Sequence, residues 1–322
     1  MEKEDPEYFN KVYELLKQNI NGNNGIKKCR FCDQSEPTVG FNTRAHIIPE
    51  LLGRNNRITA DECDTCNTRI FSAYESHLAT FFRPYFTMLG VEGKKSVPVF
   101  QSRSIGGDNL TTTTIEYTNE GHRKIVIGNE NDIQIDDKNK TLIVTFRLPN
   151  HKPIFVYKAL LKIAMSLLPK NDVIEHKHII EFLRKKENNF ILGFQFPIVF
   201  ITVLGKKFAS PGAHLYRAKI ESEPDGYIPK YTLVISFGNI VAQIFIPPSI
   251  SYLLQNKPKD KTAVLNLFHS FIYNINYEKI KELDDNELIN VQYKFSSINL
   301  SSSISKPYDI KLYFKYDSLE KH

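Results

Sequence analysis

The spacing of apolar residues in the first quarter of the chain indicates a helix followed by a compact, cysteine-bearing segment. Residues 6–20 place apolar side chains at intervals of three and four, which predicts an amphipathic helix. The Asn- and Gly-rich run at 21–25 should end this helix. We therefore assign residues 1–23 to an N-terminal amphipathic helix and place the next boundary near residue 95, where the chain turns polar and glycine-containing.

The remainder of the chain has a mixed pattern that is rich in strand-like runs. A continuous apolar stretch at 154–168, closed by Pro169, predicts a helix, and a second helix should start near residue 176. The polar run at 136–140 is typical of a hairpin loop. Predicted strands occupy 113–118, 124–128, 133–137, 141–148, 198–204, 232–237, 240–246, 289–303 and 309–316.

The most apolar window, Leu233–Leu254, is long enough to raise the question of a membrane span. It contains Gly238-Asn239 between two strand-like halves, followed by Pro247-Pro248. This arrangement favours a buried β-hairpin over a transmembrane helix. The chain opens with acidic residues and shows no secretory signal pattern, so we expect a cytoplasmic protein with no membrane partner.

Composition and charge narrow the function only slightly. The net charge is +6 and the isoelectric point is about 8.9, which weakly favours an acidic partner such as nucleic acid. We expect His176 and His178 to be solvated. The basic residues scattered outside the cysteine-bearing segment fit either a surface that tracks phosphates or ordinary solubility; they are Lys95, Arg103, Lys162, Lys185 and Lys186.

All four cysteines fall in two identical C-x-x-C motifs, at 29–32 and 63–66. Each motif places two thiolates at neighbouring corners of a tetrahedron, and two such motifs close a four-cysteine zinc site. A redox role is the alternative, but it is typical of one motif, not two. We predict a structural Zn²⁺ held by Cys29, Cys32, Cys63 and Cys66.

Between the motifs lies Arg44-Ala45-His46-Ile-Ile-Pro49, and Asn67 directly follows the second motif and leads into a predicted helix. With these residues the sequence, from 29 to about 82, resembles the four-cysteine branch of the HNH (ββα-metal) endonucleases. The resemblance implies that His46 is the general base and that Asn67 orients it through its backbone. It also implies a single divalent metal, Mg²⁺ or Mn²⁺, held by a helix residue eight or nine positions after Asn67.

Glu75 stands at the implied position of the metal ligand. It also falls within the apolar helical stripe formed by Phe71, Tyr74, Leu78 and Phe82. A carboxylate on such a face needs a cation or strong donors, although it could also lie at the edge of the stripe and reach water. His77, about 200° around the helix from Glu75, is the alternative ligand.

The sequence departs from the family at Ala45. Active members usually carry an acidic residue or a histidine there, as the second protein ligand to the metal, and alanine cannot bind one. Glu50 or Asp61 could replace it. Arg44 could contact a phosphate oxygen or could be a surface charge.

These observations predict an α+β fold. A zinc-bound HNH module at 24–94 is followed by a larger, β-rich α+β domain at 95–322 that recognises a substrate or partner. The predicted function is metal-dependent hydrolysis of nucleic acid, with DNA favoured over RNA, and restriction or phage defence is a family-level expectation. The alternative is a catalytically degenerate zinc module that binds nucleic acid or serves as a scaffold. The sequence indicates no oligomeric state.

Overall fold

A computed structural model of the chain describes thirteen segments. They are residues 12–16, 26–88, 90–92, 96–103, 112–118, 123–185, 197–203, 208–219, 222–223, 226–227, 229–248, 298–299 and 306–315.

The described part of the chain contains four α-helices, and a π-helical segment, Cys66–Phe71, leads into the first of them. The helices are α1 (Ser72–Met88), α2 (Pro153–Leu167), α3 (Lys170–Val173) and α4 (Lys177–Arg184). The strands are β1 (Tyr13–Leu15), β2 (Ala45–His46), β3 (Ile58–Thr59), β4 (Phe100–Arg103), β5 (Thr112–Tyr117), β6 (Arg123–Val126), β7 (Ile133–Asp136), β8 (Thr141–His151), β9 (Ile198–Val203), β10 (Gly212–Ala218), β11 (Ser222–Glu223), β12 (Gly226–Tyr227), β13 (Tyr231–Phe237), β14 (Ile240–Phe245), β15 (Ile298–Asn299) and β16 (Lys306–Lys315).

The largest sheet is antiparallel and has the strand order β1-β10-β13-β14-β9-β15. Its centre is the hairpin of β13 and β14, so the predicted hairpin is confirmed in the described part of Leu233–Leu254. Gly238 forms the turn with φ 52°, a conformation that favours glycine, and an added Cβ would lie 2.2 Å from Val91. The other sheets of the described part are the three-stranded β16-β8-β7 and β4-β5-β6 and the two-stranded β2-β3 and β11-β12.

Helix α2 forms the centre of the core. All fifteen of its residues are buried, as its apolar sequence predicts. The Tyr157 hydroxyl donates to the carbonyl of Phe245 on β14 at 3.1 Å. On the other side, the Phe155 ring meets Tyr74 of α1 at a centroid distance of 4.8 Å. Because α2 touches both α1 and the main sheet, it connects the cysteine-bearing segment to the rest of the protein.

The prediction of an N-terminal helix is wrong for Tyr13–Leu15, which form the edge strand β1. The strand pairs with β10, and Val12 and Tyr13 are buried beside Phe245. Helical spacing of apolar residues is a local signal, and here pairing with a sheet edge more than 200 residues away overrides it. The other residues of the predicted helix lie outside the described part, apart from Val12 and Leu16.

The cysteine-bearing segment has the predicted ββα order: β2, β3 and then α1. Most of its buried apolar residues and most of those beyond residue 95 form one continuous hydrophobic cluster, from Cys29 to Ile246. The α+β class with a small four-cysteine module near the N-terminus is confirmed. Within the described segments, no helix combines the length and apolar character that a membrane crossing requires.

Candidate metal centre and active site

The four cysteines converge although two of them are more than thirty residues from the other two. Their sulfur atoms all lie within 4.8 Å of one another. Cys29 and Cys66 are 3.8 Å apart, and Cys32 and Cys63 are 3.7 Å apart. Tetrahedral zinc with Zn–S bonds of about 2.3 Å requires sulfur–sulfur separations of about 3.8 Å. The arrangement fits one tetrahedral metal ion, consistent with structural zinc.

The electrostatics of the four thiols also favour a bound cation. A hydrogen bond from Cys66 lowers the pKa of Cys29 to about 5, so one thiolate forms easily. Burial and the negative neighbour Cys29 raise the pKa of Cys32 to about 11, and the pKa of Cys66 is raised as well. Four thiolates this close repel one another, and a divalent cation removes that repulsion.

Short-range backbone contacts shape both cysteine motifs. The amide of Cys29 donates to the carbonyl of Gln34 at 2.8 Å, which closes the first turn. The amide of Cys63 points at the sulfur of Cys29 from 3.4 Å, and the amide of Asn67 donates to the carbonyl of Cys63 at 3.0 Å. The second motif is therefore the first turn of the helical segment that continues into α1.

Arg30, inside the first motif, connects the four-cysteine site to helix α2 through hydrogen bonds. Its guanidinium binds the carboxylate of Asp61 at 2.6 and 2.9 Å. It also donates to the carbonyl oxygens of Met165 at 2.5 Å and Leu168 at 3.0 Å, at the end of α2. Asp61 is thus engaged by Arg30, which makes it a poor substitute for the metal ligand that Ala45 lacks.

His46 lies at the end of the very short strand β2, paired with Ile58 of β3. Its side chain is 21% exposed, so the imidazole reaches the surface. Nε2 is 3.7 Å from a carboxylate oxygen of Glu50, in the next turn of the chain. A partly exposed imidazole with an acidic neighbour can accept a proton from a bound water.

Asn67 does contact the segment that leads to His46, but through its side chain. Its Nδ2 donates to the hydroxyl of Thr43 at 3.3 Å. Asp64, one helical turn earlier, accepts the amide and hydroxyl of Thr43 at 2.7 and 2.6 Å and the amide of Asn42 at 3.1 Å. These bonds, those from Thr43 above all, lower the pKa of Asp64 to about 2. Together Asn67 and Asp64 fix the turn that precedes β2.

Glu75 lies on α1 within the predicted stripe, whose members Phe71, Tyr74, Leu78 and Phe82 are all buried. The Glu75 side chain is only half-buried. Burial raises its pKa, and the positive charges of Lys162 and of protonated His46 oppose that rise. The helix residue and the strand histidine are therefore close enough to interact electrostatically.

The other two predicted site residues have different surroundings. The Nδ1 atom of His77 accepts the backbone amide of Lys152 at 3.1 Å, at the start of α2, and its ring packs on Phe155. One nitrogen of His77 is therefore committed to the start of a neighbouring helix. Arg44 is exposed beside His46, where a phosphate can reach it.

Two buried charges near the site were not predicted. Lys162 of α2, which we expected at the surface, is 1% exposed, and its Nζ donates to the backbone carbonyl of His46 at 2.7 Å. The same Nζ lies 3.1 Å from Oε2 of Glu62, whose side chain is 0% exposed. The one local signal was that an otherwise apolar helix contains two lysines a single turn apart, Lys158 and Lys162.

Residues 29–82 match the family model described as HNH endonuclease. The match covers both cysteine motifs, β2, β3 and most of α1. The comparisons with curated proteins and with solved structures returned no match. The match supports nuclease activity in general and a nucleic-acid substrate.

Proposed function

We propose that this protein is a metal-dependent endonuclease that hydrolyses phosphodiester bonds of nucleic acid, with DNA the favoured substrate. One observation carries the proposal: the segment that matches the HNH endonucleases contains four convergent cysteines, and its strand histidine and helix carboxylate interact electrostatically. Phosphodiester hydrolysis needs a base to activate water and a metal to offset developing phosphate charge. His46 and Glu75 are residues of the types that these two tasks require.

Each candidate residue takes one role in this proposal. His46 accepts the proton of the attacking water, and Asn67 orients the strand that carries it by holding Thr43. Glu75 holds the catalytic Mg²⁺ or Mn²⁺, which would supply charge for the scissile phosphate. Arg44 contacts a neighbouring phosphate. Cys29, Cys32, Cys63 and Cys66 hold the structural zinc.

The second carboxylate of the metal site we assign to Glu50. Ala45 is buried and has no ligand atom, and Asp61 is bound to Arg30. Glu50 is exposed and already lies 3.7 Å from His46. Oxygen ligands of this kind suit Mg²⁺ or Mn²⁺. His77 we assign to the packing of α1 against α2, since its Nδ1 binds the Lys152 amide.

The test compares cleavage of plasmid DNA and of RNA by the wild type and by His46→Ala, each with Mg²⁺ or Mn²⁺. We expect the substitution to reduce cleavage by at least about 100-fold, since a positioned general base contributes about 10²–10⁴-fold. The matched control is His178→Gln, which alters a histidine of α4 that faces the carbonyl of Pro247. Equal cleavage by wild type and His46→Ala would remove the proposed base.

A second function is supported by Ala45, which leaves the family's usual ligand position without a donor. In that case the module binds nucleic acid without cutting it. Retention of labelled DNA or RNA by the zinc-loaded protein, with no cleavage in either metal, favours this alternative. A nuclease that stays dormant until a partner acts also binds without cutting, so this result excludes only a nuclease that is active by itself. A role in restriction or phage defence belongs to the nuclease proposal alone.

A further inference from the structure

The buried ammonium of Lys162 lies at the junction between the zinc module and helix α2. It contacts the His46 carbonyl at 2.7 Å and the Glu62 carboxylate at 3.1 Å, and it lies 5.8 Å from the centre of the Phe71 ring. All three partners belong to the segment that matches the HNH family, whereas Lys162 lies eighty residues beyond its end. The hydrogen bond, the ion pair and this ring contact of Lys162 are thus all made with residues of the module.

A buried ammonium and a buried carboxylate are costly unless they are paired. Glu62 immediately precedes Cys63, so its backbone is fixed by the zinc site, and its side chain is 0% exposed. It is therefore placed to neutralise Lys162. With that charge balanced, Lys162 can donate a charge-assisted hydrogen bond to a neutral carbonyl, a bond that is stronger than one between neutral groups.

The His46 backbone has few other restraints. Strands β2 and β3 are two residues long, and the ladder pairs Ala45 with Thr59 and His46 with Ile58. The next contact along the hairpin is the bond from the Ile47 amide to the Arg57 carbonyl at 2.8 Å. A ladder of two residue pairs restrains the strand at few points between the turn at Thr43 and the Ile47 amide. A shift of about 1 Å at a catalytic group can cost about 100-fold in rate.

We propose that Lys162, with Glu62 as its counter-ion, is a positioning residue that holds the backbone of His46 and so aims the imidazole at the active site. The inference rests on the proposed nuclease function. It assigns to helix α2 a part of the site that lies outside the matched segment. The active centre is therefore composite, completed by the region that follows the module.

The test exchanges the ion pair for apolar residues in the full-length protein, as Lys162→Met/Glu62→Met, so that neither charge is left unpaired. We expect zinc content to stay at one ion per chain. Because Lys162 is 1% exposed and cannot touch substrate, KM should change less than about twofold while kcat falls about tenfold or more. Unchanged kcat in a zinc-loaded double variant would overturn the proposal.

The matched control is Lys158→Met, the same substitution one turn earlier on α2. Lys158 is equally buried, but its ammonium donates to the Lys185 carbonyl and lies 4.4 Å from the centre of the Phe182 ring. It makes no contact with His46 among those the structure shows, so kcat should stay at the wild-type value. A kcat loss equal to that of the double variant would mean that any change in α2 impairs the site, which contradicts the inference.

Two further measurements keep the inference testable. If the methionine pair fails to fold, Lys162→Gln/Glu62→Gln keeps a neutral polar pair with a shorter side chain at 162. A fall in kcat with KM nearly unchanged is again the expected result, and an unchanged kcat again contradicts the proposal. The imidazole resonances of His46 provide a readout independent of cleavage. We expect one sharp set in the wild type and a shifted or broadened set in the double variant. If the wild type cuts nothing, the nuclease proposal fails, and unchanged His46 resonances would separately overturn the positioning role.

Discussion

Two regions of the molecule are stabilised by different interactions: the zinc end, which is the cysteine-bearing segment with β2 and β3, and the six-stranded sheet. At the zinc end, β2 and β3 contain two residues each, and the segment is held by four thiols, buried charges and polar turns. In the sheet, β13 and β14 contain seven and six residues, nearly all buried. The first region depends on a few strong, specific contacts, and the second depends on many weak apolar ones. The candidate site residues His46, Asn67 and Glu75 all lie in the first region.

The largest effect that separates the two regions should come from losing the zinc. Cys66→Ser, or chelation of the wild type, should abolish cleavage and unfold the hairpin that carries His46, because structural zinc contributes on the order of 10 kcal/mol to folding. The sheet should survive, since β13 and β14 pair with their neighbours and are buried along nearly their whole length without any contribution from the metal. Metal analysis, cleavage and residue-resolved hydrogen exchange measure this.

Zinc-free protein that still protects the β2–β3 hairpin from exchange would contradict this contrast. So would loss of protection in β13 and β14 at the same chelator concentration.

A smaller effect, on stability and not on zinc binding, should follow from shortening a buried side chain of the sheet. Leu233 on β13 is 0% exposed, and Leu233→Ala should lower the free energy of unfolding by about 2–5 kcal/mol through lost burial and a cavity. Zinc content and kcat at 25 °C should stay unchanged. Denaturant unfolding followed by circular dichroism gives the first quantity, and metal analysis with cleavage gives the second. A matching loss of zinc would show that the two regions are not separable.

The smallest expected effect is on the pH dependence of stability, and it concerns two buried lysines of helix α2 that differ in their partners. Lys162 has a carboxylate at 3.1 Å, whereas around Lys158 the structure shows a backbone carbonyl and aromatic rings. Burial lowers the pKa of Lys158 from 10.5 to about 8. The unfolded chain therefore binds more protons between about pH 8 and 10.5, so the free energy of unfolding rises with pH in that window.

Lys158→Met should remove this pH dependence. Across the window the free energy of unfolding of the wild type should rise relative to that of the variant by about 3 kcal/mol, at about 1.4 kcal/mol per pKa unit. Denaturant unfolding of zinc-loaded protein at several pH values measures it. Parallel curves for the two proteins would show that Lys158 keeps its ordinary pKa in the fold.

Patterns that depend on neighbouring residues were predictable from the sequence. The C-x-x-C spacing predicted a metal site, which the convergence of the sulfurs supports. The apolar stripe of α1, the helix at 154–168 and the hairpin around Gly238 are confirmed. For the helices and the hairpin, the residues that decide the structure lie within one or two turns of one another or within one hairpin, so the local pattern contains the needed information.

Only the tertiary structure decided which charges are buried and with whom. His176, expected to be solvated, is 5% exposed beside Tyr231, and Tyr13–Leu15 form a strand because β10 offers an edge. Lys162 reaches His46 across 116 positions of sequence. The energy of such contacts depends on desolvation and on a partner far away in the chain, and no local pattern specifies either. The sequence alone determined which residues could perform the chemistry, and the packing of α2 against the zinc module determined how they are held.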